Sequence, residues 1–532
     1  MYRYDPVGFQ WTRREWLGAL AVAGLAVPGF APARDAAKPA RSFHLCLAPN
    51  LAASDPALLE MVRQAGVGTV WLAGFLYGHR PYSDDMLRSA RAAVERAGME
   101  AELITVPLGH PGNSLGLPDG NSPPSHWRSA LRPDGTQFTG TSLHAPATAE
   151  NSAALGHLRT LGFRRAFLDD DFRLARGPGE IGGCFCAEHR GRFLRAGGYA
   201  DRHWNELLDD VTQRRATSLL RSWLEFTGDE LTAAFRTQAK AFHRGLGIMA
   251  MYLGAEKAGI RLKDYARVPF RVGELMFDDR SFGPTKGKTD ELFGALFHRR
   301  FADPERAFSE TTAYPADRLS AANMAAKLAV STLADVRHTM FMSGLTPFPR
   351  EHWAVLGPAM RQHAALHATV AGHRAHGPFK HHWGEAERTV GNDRPFSLWL
   401  AAGVPFEVVG QPASDGWTFL SDFDARELAS RADRIPSRWI CRPTAKTRPV
   451  GSLVVGETLP ELFAFKNRIR DQLSDVPHVA EDEPAVCAWY PAVGTVLVWN
   501  LAEQTRDLTV VHGQRRHPIR LGPLAAGSVR LS

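Results

Sequence analysis

The sequence predicts a parallel (β/α)8 barrel followed by two smaller domains. Eight short apolar runs alternate with segments of helical spacing in the first two thirds of the chain, and eight is the number of strands that closes such a barrel. The chain has 532 residues, which is too long for one compact core. An open, doubly wound sheet is the structural alternative. The absence of a glycine-rich phosphate turn after the first run disfavours that alternative.

The predicted strands are bounded by turn residues and by amphipathic segments. They are residues 43–48, 67–75, 99–107, 163–171, 247–253, 272–278, 307–310 and 336–342. The seventh and eighth runs are short and polar. We expect the barrel to occupy residues 42–365.

Two further domains are predicted after the barrel. Residues 385–475 combine short apolar runs with helical segments, as in a small α/β domain. Residues 483–532 alternate apolar and polar residues between turns, which predicts a small β-sandwich. Between barrel and α/β domain, six histidines crowd residues 363–382. Their irregular spacing favours a solvated helix and loop over a metal site.

The first 33 residues have the features of an export signal. Arg13 and Arg14 precede an apolar stretch at 17–30 that is rich in Gly and Ala, and small residues follow at 31–33. The arginine pair with Trp16 behind it resembles a twin-arginine signal. We therefore expect a periplasmic or secreted protein with no stable membrane anchor after signal removal. The alternative is an N-terminal helix of the fold with a chance arginine pair.

The charge balance gives no indication of a nucleic-acid partner. The chain has 63 basic and 56 acidic residues, a net charge of +7. These charges are dispersed, with no basic stripe and no nucleic-acid-binding motif. The five cysteines are an odd and sparse set, which does not describe a disulfide framework.

Acidic residues mark the predicted carboxyl ends of three strands. Asp169, Asp170 and Asp171 end the fourth, Asp278 ends the sixth and Glu310 ends the seventh. Catalytic groups of such barrels lie at the carboxyl ends of strands. Carboxylates bunched at one rim acquire different pKa values. Cleavage of a glycosidic bond requires this, because one carboxyl protonates the leaving oxygen while the other attacks the sugar carbon or activates water.

Each acidic group also has a structural interpretation. A run of aspartates is also typical of a helix cap, a turn or a cation site. Asp278 suits a structural or substrate-positioning role better than a catalytic one. Glu310 can instead cap the helix that follows it.

The segment after the fourth strand resembles family 42 β-galactosidases. The resemblance is carried by Asp170-Asp171-Phe172, Gly183-Cys184-Phe185-Cys186, His189 and Phe193. It implies that Asp171 is the general acid, that Asp170 contacts the sugar 2-hydroxyl and that Glu310 is the nucleophile. The family has Asn-Glu at the positions of Asp170 and Asp171, so galactosidase specificity is not implied. The likeness extends over residues 42–532 and implies a homotrimer formed through residues 385–475.

The cysteine loop offers soft metal ligands. Cys184, Cys186 and His189 lie within six residues, which suits tetrahedral zinc with a fourth ligand from elsewhere. In the resembled family that ligand lies in the loop after the third strand, where this chain has His110. We expect a structural zinc and no catalytic cofactor. The alternative is a buried or disulfide-bonded cysteine pair beside a surface histidine.

Sugar contacts are expected from residues near the same rim. Trp127 and Tyr252 are candidate aromatic platforms, although such rings also serve as core. Asp169 and Asp278 are expected to bind substrate beside Asp170. Arg173 is expected to tune the carboxylates, to recognise an acidic sugar or to balance charge.

The function expected from these residues is an exported glycoside hydrolase that acts on an oligosaccharide or glycoside. In a retaining enzyme the carboxyl groups of Asp171 and Glu310 are about 5–5.5 Å apart. A non-catalytic sugar-binding protein on a degenerate barrel is one alternative, because Asp replaces Glu at the acid position. A metal-dependent hydrolase is the other.

Overall fold

The structure is a computed structural model, and it describes residues 41–76, 78–106, 124–138, 143–169, 172–175, 179–243, 245–430 and 438–531. The expected export signal at residues 1–33 lies outside these ranges. None of the described helices is both long and apolar enough to cross a membrane.

Eight parallel strands close into a barrel in sequential order, so the predicted fold class is confirmed. They are β1 (Ser42–Leu47), β2 (Thr69–Leu76), β3 (Glu100–Val106), β4 (Ala166–Leu168), β5 (Leu246–Met251), β6 (Phe270–Gly273), β7 (Ala307–Thr312) and β8 (His338–Met342). β1 pairs with both β2 and β8, which completes the ring.

Fourteen α-helices lie in the described ranges, and the first eleven belong to the barrel and its loops. These eleven are α1 (Pro49–Ser54), α2 (Pro56–Ala65), α3 (Asp84–Arg96), α4 (Ala145–Thr160), α5 (Ala187–Gly197), α6 (Arg202–Gln213), α7 (Ser218–Phe242), α8 (Asp279–Phe282), α9 (Thr285–His298), α10 (Ala321–Leu333) and α11 (His352–Ala368). Helices α5 to α7 carry their own apolar cluster around Trp223. The long β4-to-β5 connection therefore forms a subdomain of the barrel.

The barrel interior is filled in layers. Trp71, Phe167 and Phe308 pack at the bottom, with ring centroids of Trp71 and Phe167 4.7 Å apart and those of Phe167 and Phe308 4.9 Å apart. Side chains two residues apart on a strand share a face, so Glu310 lies above Phe308 on the inner face of β7. These aromatic rings fill the lower end of the barrel, so a catalytic site is expected at the carboxyl ends of the strands.

The sixth strand is shorter than predicted. β6 ends at Gly273 instead of reaching Asp278. Asp278 instead caps α8, where its side chain accepts a hydrogen bond from the Ser281 amide in a reciprocal capping box. The prediction that Asp278 ends a strand is therefore wrong, because a capping aspartate begins the next helix.

The α/β domain contains a five-stranded parallel sheet in the order β10-β9-β11-β12-β13. Its strands are β9 (Phe379–His382), β10 (Phe406–Val409), β11 (Trp417–Leu420), β12 (Arg438–Cys441) and β13 (Leu453–Val454), and its helices are α12 (Glu385–Val390), α13 (Asp422–Ala429) and α14 (Leu459–Arg468). Phe293 of α9 packs its ring against His381 and Trp383, with centroids 4.7 and 5.3 Å apart. Aromatic packing thus joins this domain to the barrel.

The C-terminal domain consists of two three-stranded antiparallel sheets, in the orders β14-β17-β18 and β15-β16-β19. These strands are β14 (His478–Val479), β15 (Ala485–Tyr490), β16 (Thr495–Asn500), β17 (Arg506–His512), β18 (Arg515–Leu521) and β19 (Ala526–Arg530). Inward side chains of both sheets, including Val498 and Val510, share one apolar cluster.

Most histidines of the histidine-rich segment do not face solvent. His363, His367, His381 and His382 are all buried, so the predicted solvated helix and loop is wrong for these four. His367 Nε2 lies 2.8 Å from Oδ1 of Asp335, and His363 Nδ1 lies 3.0 Å from the Thr332 hydroxyl. Burial lowers the pKa of His363 to about 3, which keeps the imidazole neutral inside the fold.

Candidate active site

Glu310 lies on the inner face of the barrel near the carboxyl end of β7. Its side chain is 4% exposed. The strand continues to Thr312, whose hydroxyl donates a hydrogen bond to Oε1 of Glu310. Because Glu310 and Thr312 lie on the same face of β7, this hydrogen bond holds the Glu310 carboxylate in a fixed position relative to the strand.

A fully buried arginine on the neighbouring strand contacts the same carboxylate. Nε of Arg271 lies 3.0 Å from Oε2 of Glu310. The Nη2 atom of the same guanidinium donates to Oδ1 of Asp169. One cation thus lies between two carboxylates at the mouth of the barrel.

Asp169 directly follows β4, as predicted for a rim residue. It is 7% exposed, and its amide donates to the carbonyl of Thr105 at 2.8 Å. Its contact with Arg271 shows that the carboxylate is engaged within the protein. Asp170 and Asp171, the predicted sugar contact and general acid, lie outside the described residues.

Two other predicted rim residues have structural contacts. Arg173 is 4% exposed, and its Nε donates to the carbonyl of Ala175 at 2.8 Å. Asp278 is taken up by the cap of α8. Hydrogen bonds from the hydroxyl and the amide of Ser281 lower the pKa of Asp278.

The two predicted aromatic platforms are buried. Tyr252 is 4% exposed, Trp127 is 5% exposed, and both belong to the main apolar core. The Tyr252 hydroxyl donates to the Asp290 carbonyl at 3.2 Å, and Trp127 Nε1 donates to Glu150 at 2.7 Å. This placement contradicts a role as open sugar platforms, because stacking on a sugar requires an accessible ring face.

The cysteine loop forms a compact group of four donors. Cys184, Cys186, His189 and His144 are all buried, and one donor atom of each lies within 4.8 Å of the others. Nδ1 of His189 lies 3.2 Å from Sγ of Cys186. Nε2 of His144 lies 4.0 and 3.9 Å from the sulfurs of Cys184 and Cys186. His110, the predicted fourth ligand, lies outside the described residues.

The donor set fits tetrahedral zinc. Zinc–sulfur and zinc–nitrogen bonds of about 2.3 and 2.0 Å place neighbouring donors about 3.3–3.8 Å apart, close to the separations here. Burial lowers the pKa of His144, and that of His189 to about 4, so both imidazoles are in the neutral form that binds metal. Oε2 of Glu188 lies 3.6 Å from Nδ1 of His144, where an outer carboxylate orients a ligand histidine.

Two glycines allow the cysteine loop to pack closely against Leu174 and the Trp223 ring. A Cβ on Gly182 would lie 2.1 Å from the carbonyl oxygen of Leu174, and one on Gly183 would lie 2.6 Å from the Trp223 ring. Gly183 also has a φ of +127°, which side-chain-bearing residues rarely adopt. The loop then ends at Cys186, directly before the first turn of α5.

Two residues of these sites were missed in the sequence. Arg271 interrupts an apolar strand, and a lone arginine in such a run is itself a signal of a buried ion pair. His144 lies between β3 and β4, as His110 does. Its place directly before α4 gave no indication that it meets the cysteine loop.

No family model and no curated protein matches the sequence. Among solved structures, Gan42B, a GH42 β-galactosidase, is 10% identical with a TM-score of 0.52, over 92% of this chain and 98% of that one. α-L-Fucosidase isoenzyme 2 from Paenibacillus thiaminolyticus is 9% identical with a TM-score of 0.45, over 91% and 73%. A GH5_18 protein from Streptomyces cattleya in complex with Manβ1-4GlcNAc is 12% identical with a TM-score of 0.41, over 76% and 99%.

The last two structures are too distant in shape to support an argument. The first confirms the predicted resemblance at the level of the fold, from the barrel through both C-terminal domains. The chain therefore shares the fold of a family 42 β-galactosidase over nearly its whole length.

Proposed function

We propose that this chain is a glycoside hydrolase in which Glu310 is the nucleophile and Asp171 the general acid. The observation that carries the proposal is the placement of Glu310. Its buried carboxylate lies near the carboxyl end of the seventh barrel strand and contacts a guanidinium. A guanidinium favours the ionised carboxylate, which is the form that attacks a sugar carbon.

The proposed reaction has two steps. Asp171 protonates the glycosidic oxygen while a Glu310 oxygen attacks the anomeric carbon, so the carbon–oxygen bond of the leaving group breaks as an ester bond to Glu310 forms. Water, deprotonated by Asp171, then attacks the same carbon and releases Glu310. Two inversions leave the configuration of the sugar unchanged.

A structural role is proposed for zinc. Four protein donors satisfy the tetrahedral coordination of a structural site, whereas a catalytic zinc keeps one position for water or substrate. Cys184, Cys186, His189 and His144 would hold the ion and tie the cysteine loop to the segment before α4. This arrangement favours the carboxylate mechanism over the metal-dependent hydrolase.

Export and assembly extend the proposal. Residues 1–33 support twin-arginine export to the periplasm or beyond, with the zinc bound before export of the folded chain. The homotrimer implied by the family resemblance is proposed through the α/β domain. An oligosaccharide or glycoside is the proposed substrate.

The test is hydrolysis of a panel of aryl glycosides by the wild-type protein and by Glu310→Gln. We expect the variant to lose several orders of magnitude in turnover, because Gln cannot form the ester. In Glu310→Ala, added azide should occupy the space of the carboxylate, attack the anomeric carbon and yield a glycosyl azide of inverted configuration. A wild-type protein that binds a sugar and leaves it uncleaved would contradict the proposal and favour the non-catalytic alternative.

Glu274→Gln is the matched control for loss of a buried carboxyl. Glu274 lies next to β6, is 3% exposed and is 3.2 Å from Nζ of Lys327. Burial and the neighbouring Glu291 raise the pKa of Glu274 well above its usual range. Gln therefore mimics the protonated side chain, and activity should stay near that of the wild type.

A further inference from the structure

We propose that Arg271 is a positioning residue of the active site, which holds the Glu310 carboxylate ionised and ties it to the end of β4 through Asp169. This inference rests on the proposed function, because Arg271 positions the residue that is proposed as the nucleophile. The residues that carry it are all buried, at 0% exposure for Arg271, 4% for Glu310 and 7% for Asp169.

The order of the barrel strands gives Arg271 access to both carboxylates. In the closed barrel β6 neighbours β7, whereas β5 separates β6 from β4. Arg271 pairs with Phe308 in the ladder, so Glu310 lies two residues further towards the rim. The Arg271 side chain therefore extends along the barrel interior towards the rim. It passes β5 and contacts Asp169 at the end of β4. One side chain sets the relative position of two rim carboxylates.

The guanidinium of Arg271 is held in a fixed orientation by its neighbours. Nη1 of Arg271 lies 3.0 Å from the sulfur of Met340, and Nη2 lies 2.8 Å from that of Met249. The guanidinium carbon lies 5.5 Å from the centroid of the Phe167 ring. A planar cation packed between polarizable groups has little rotational freedom. Lysine has neither the plane nor the fork of donors, so it cannot reproduce both carboxylate contacts.

The charge of Arg271 gives the acidic residues of the site different roles. Nucleophile and acid must start in opposite protonation states. An adjacent guanidinium favours the ionised form of a carboxylate, and more strongly in a buried site than in water. Glu310 therefore suits the nucleophile. Asp169 contacts the same cation and is thus a positioning residue instead of a proton donor, which leaves the donor role to a later residue of the aspartate run.

The test compares the pH dependence of kcat/KM for the wild type, Arg271→Met, Arg271→Lys and Asp169→Asn. In Arg271→Met the cation is lost, so Glu310 is protonated more easily and the acidic limb should move up by about 1–3 pH units. In Asp169→Asn a nearby negative charge is lost, so the limb should move to lower pH. Arg271→Lys keeps the charge, so the limb should stay near the wild-type position while kcat falls about 10²-fold through lost alignment.

Arg299→Lys is the control for changing a buried arginine. Arg299 is 7% exposed and lies 3.5 Å from Asp335, at the end of α9 outside the barrel interior. This variant should lose stability without moving the pH limb. If Arg271→Met does not fold, Arg271→Lys still tests the fall in kcat without a shift, and Asp169→Asn still tests the shift of the limb to lower pH.

The outcomes separate this inference from the proposed function. Opposite shifts of the limb in Arg271→Met and Asp169→Asn support it, as does a fall in kcat without a shift in Arg271→Lys. Unmoved limbs in folded Arg271→Met and Asp169→Asn, with Glu310→Gln still inactive, overturn the role of Arg271 and leave the proposed function intact. A wild-type protein without glycosidase activity overturns both.

Discussion

Nζ of Lys257 lies 2.5 Å from Oδ1 of Asp393, and both side chains are at most 1% exposed. Lys257 belongs to the segment after β5, and Asp393 follows α12 in the α/β domain. The ammonium group also donates to the carbonyl of Glu387 at 3.0 Å, and Oδ2 of Asp393 accepts from the Gly179 amide. This buried ion pair therefore joins the barrel to the α/β domain.

Removing one partner of this pair should destabilise the protein strongly. In Asp393→Asn the buried ammonium loses its counter-charge, and we expect a loss of about 3–5 kcal/mol in the free energy of unfolding. The double variant Lys257→Met/Asp393→Asn removes both charges and should recover much of that loss. Urea denaturation followed by circular dichroism measures both effects.

Asp507→Asn is the control for this prediction. Asp507 pairs with Arg520 at 3.2 Å, and both side chains are 73% exposed. An exposed pair of this kind contributes at most about 1 kcal/mol. If Asp393→Asn were no more destabilising than Asp507→Asn, the buried pair would not hold the two domains together.

Asp424 should make the stability of the protein fall as pH rises. Burial, with the neighbouring Glu387, raises the pKa of Asp424 to about 7, against about 3.9 in an unfolded chain. Between these values the folded state binds a proton that the unfolded state has released. The contribution of Asp424 to the free energy of unfolding is therefore largest below about pH 4. It decreases as pH rises to 7, by at most about 1.4 kcal/mol per pH unit.

The variant Asp424→Asn should flatten this dependence, since the amide does not titrate. Urea unfolding at pH 5 and at pH 8 gives the difference for each protein. Asp422→Asn changes a partly exposed aspartate on the same helix and should leave the difference as in the wild type. An equal pH difference in the wild type and in Asp424→Asn would show that Asp424 is ionised in the folded protein.

Local patterns predicted the barrel well because each apolar run pairs with its neighbour in sequence. The runs at 43–48 and 99–107 match β1 and β3 to within one residue. The sixth run extended too far, since Asp278 is a capping residue and the apolar residues before it belong to a loop. Buried histidines such as His381 were missed because their burial depends on the α9 side chains that cover them.

The sequence predicted only those site residues whose position depends on a single strand. Glu310 follows from its place near the end of an apolar run. Arg271 does not, because its contact with Glu310 depends on the register between β6 and β7 and on the inward orientation of both strands. His144 lies next to the cysteines because of the course of the chain before α4. Residue spacing alone does not determine that course.

The metal site gives a prediction that distinguishes two histidines. If Cys184, Cys186, His189 and His144 hold the zinc, His144→Ala should weaken zinc binding by at least about 100-fold. That is the upper end of the loss expected when only a residue behind a metal ligand is removed. His110→Ala should keep one zinc per chain. Elemental analysis after dialysis against a chelator measures the metal, and thermal unfolding should show a lower midpoint in His144→Ala alone. The reverse result, with zinc lost in His110→Ala and retained in His144→Ala, would assign the fourth position to His110.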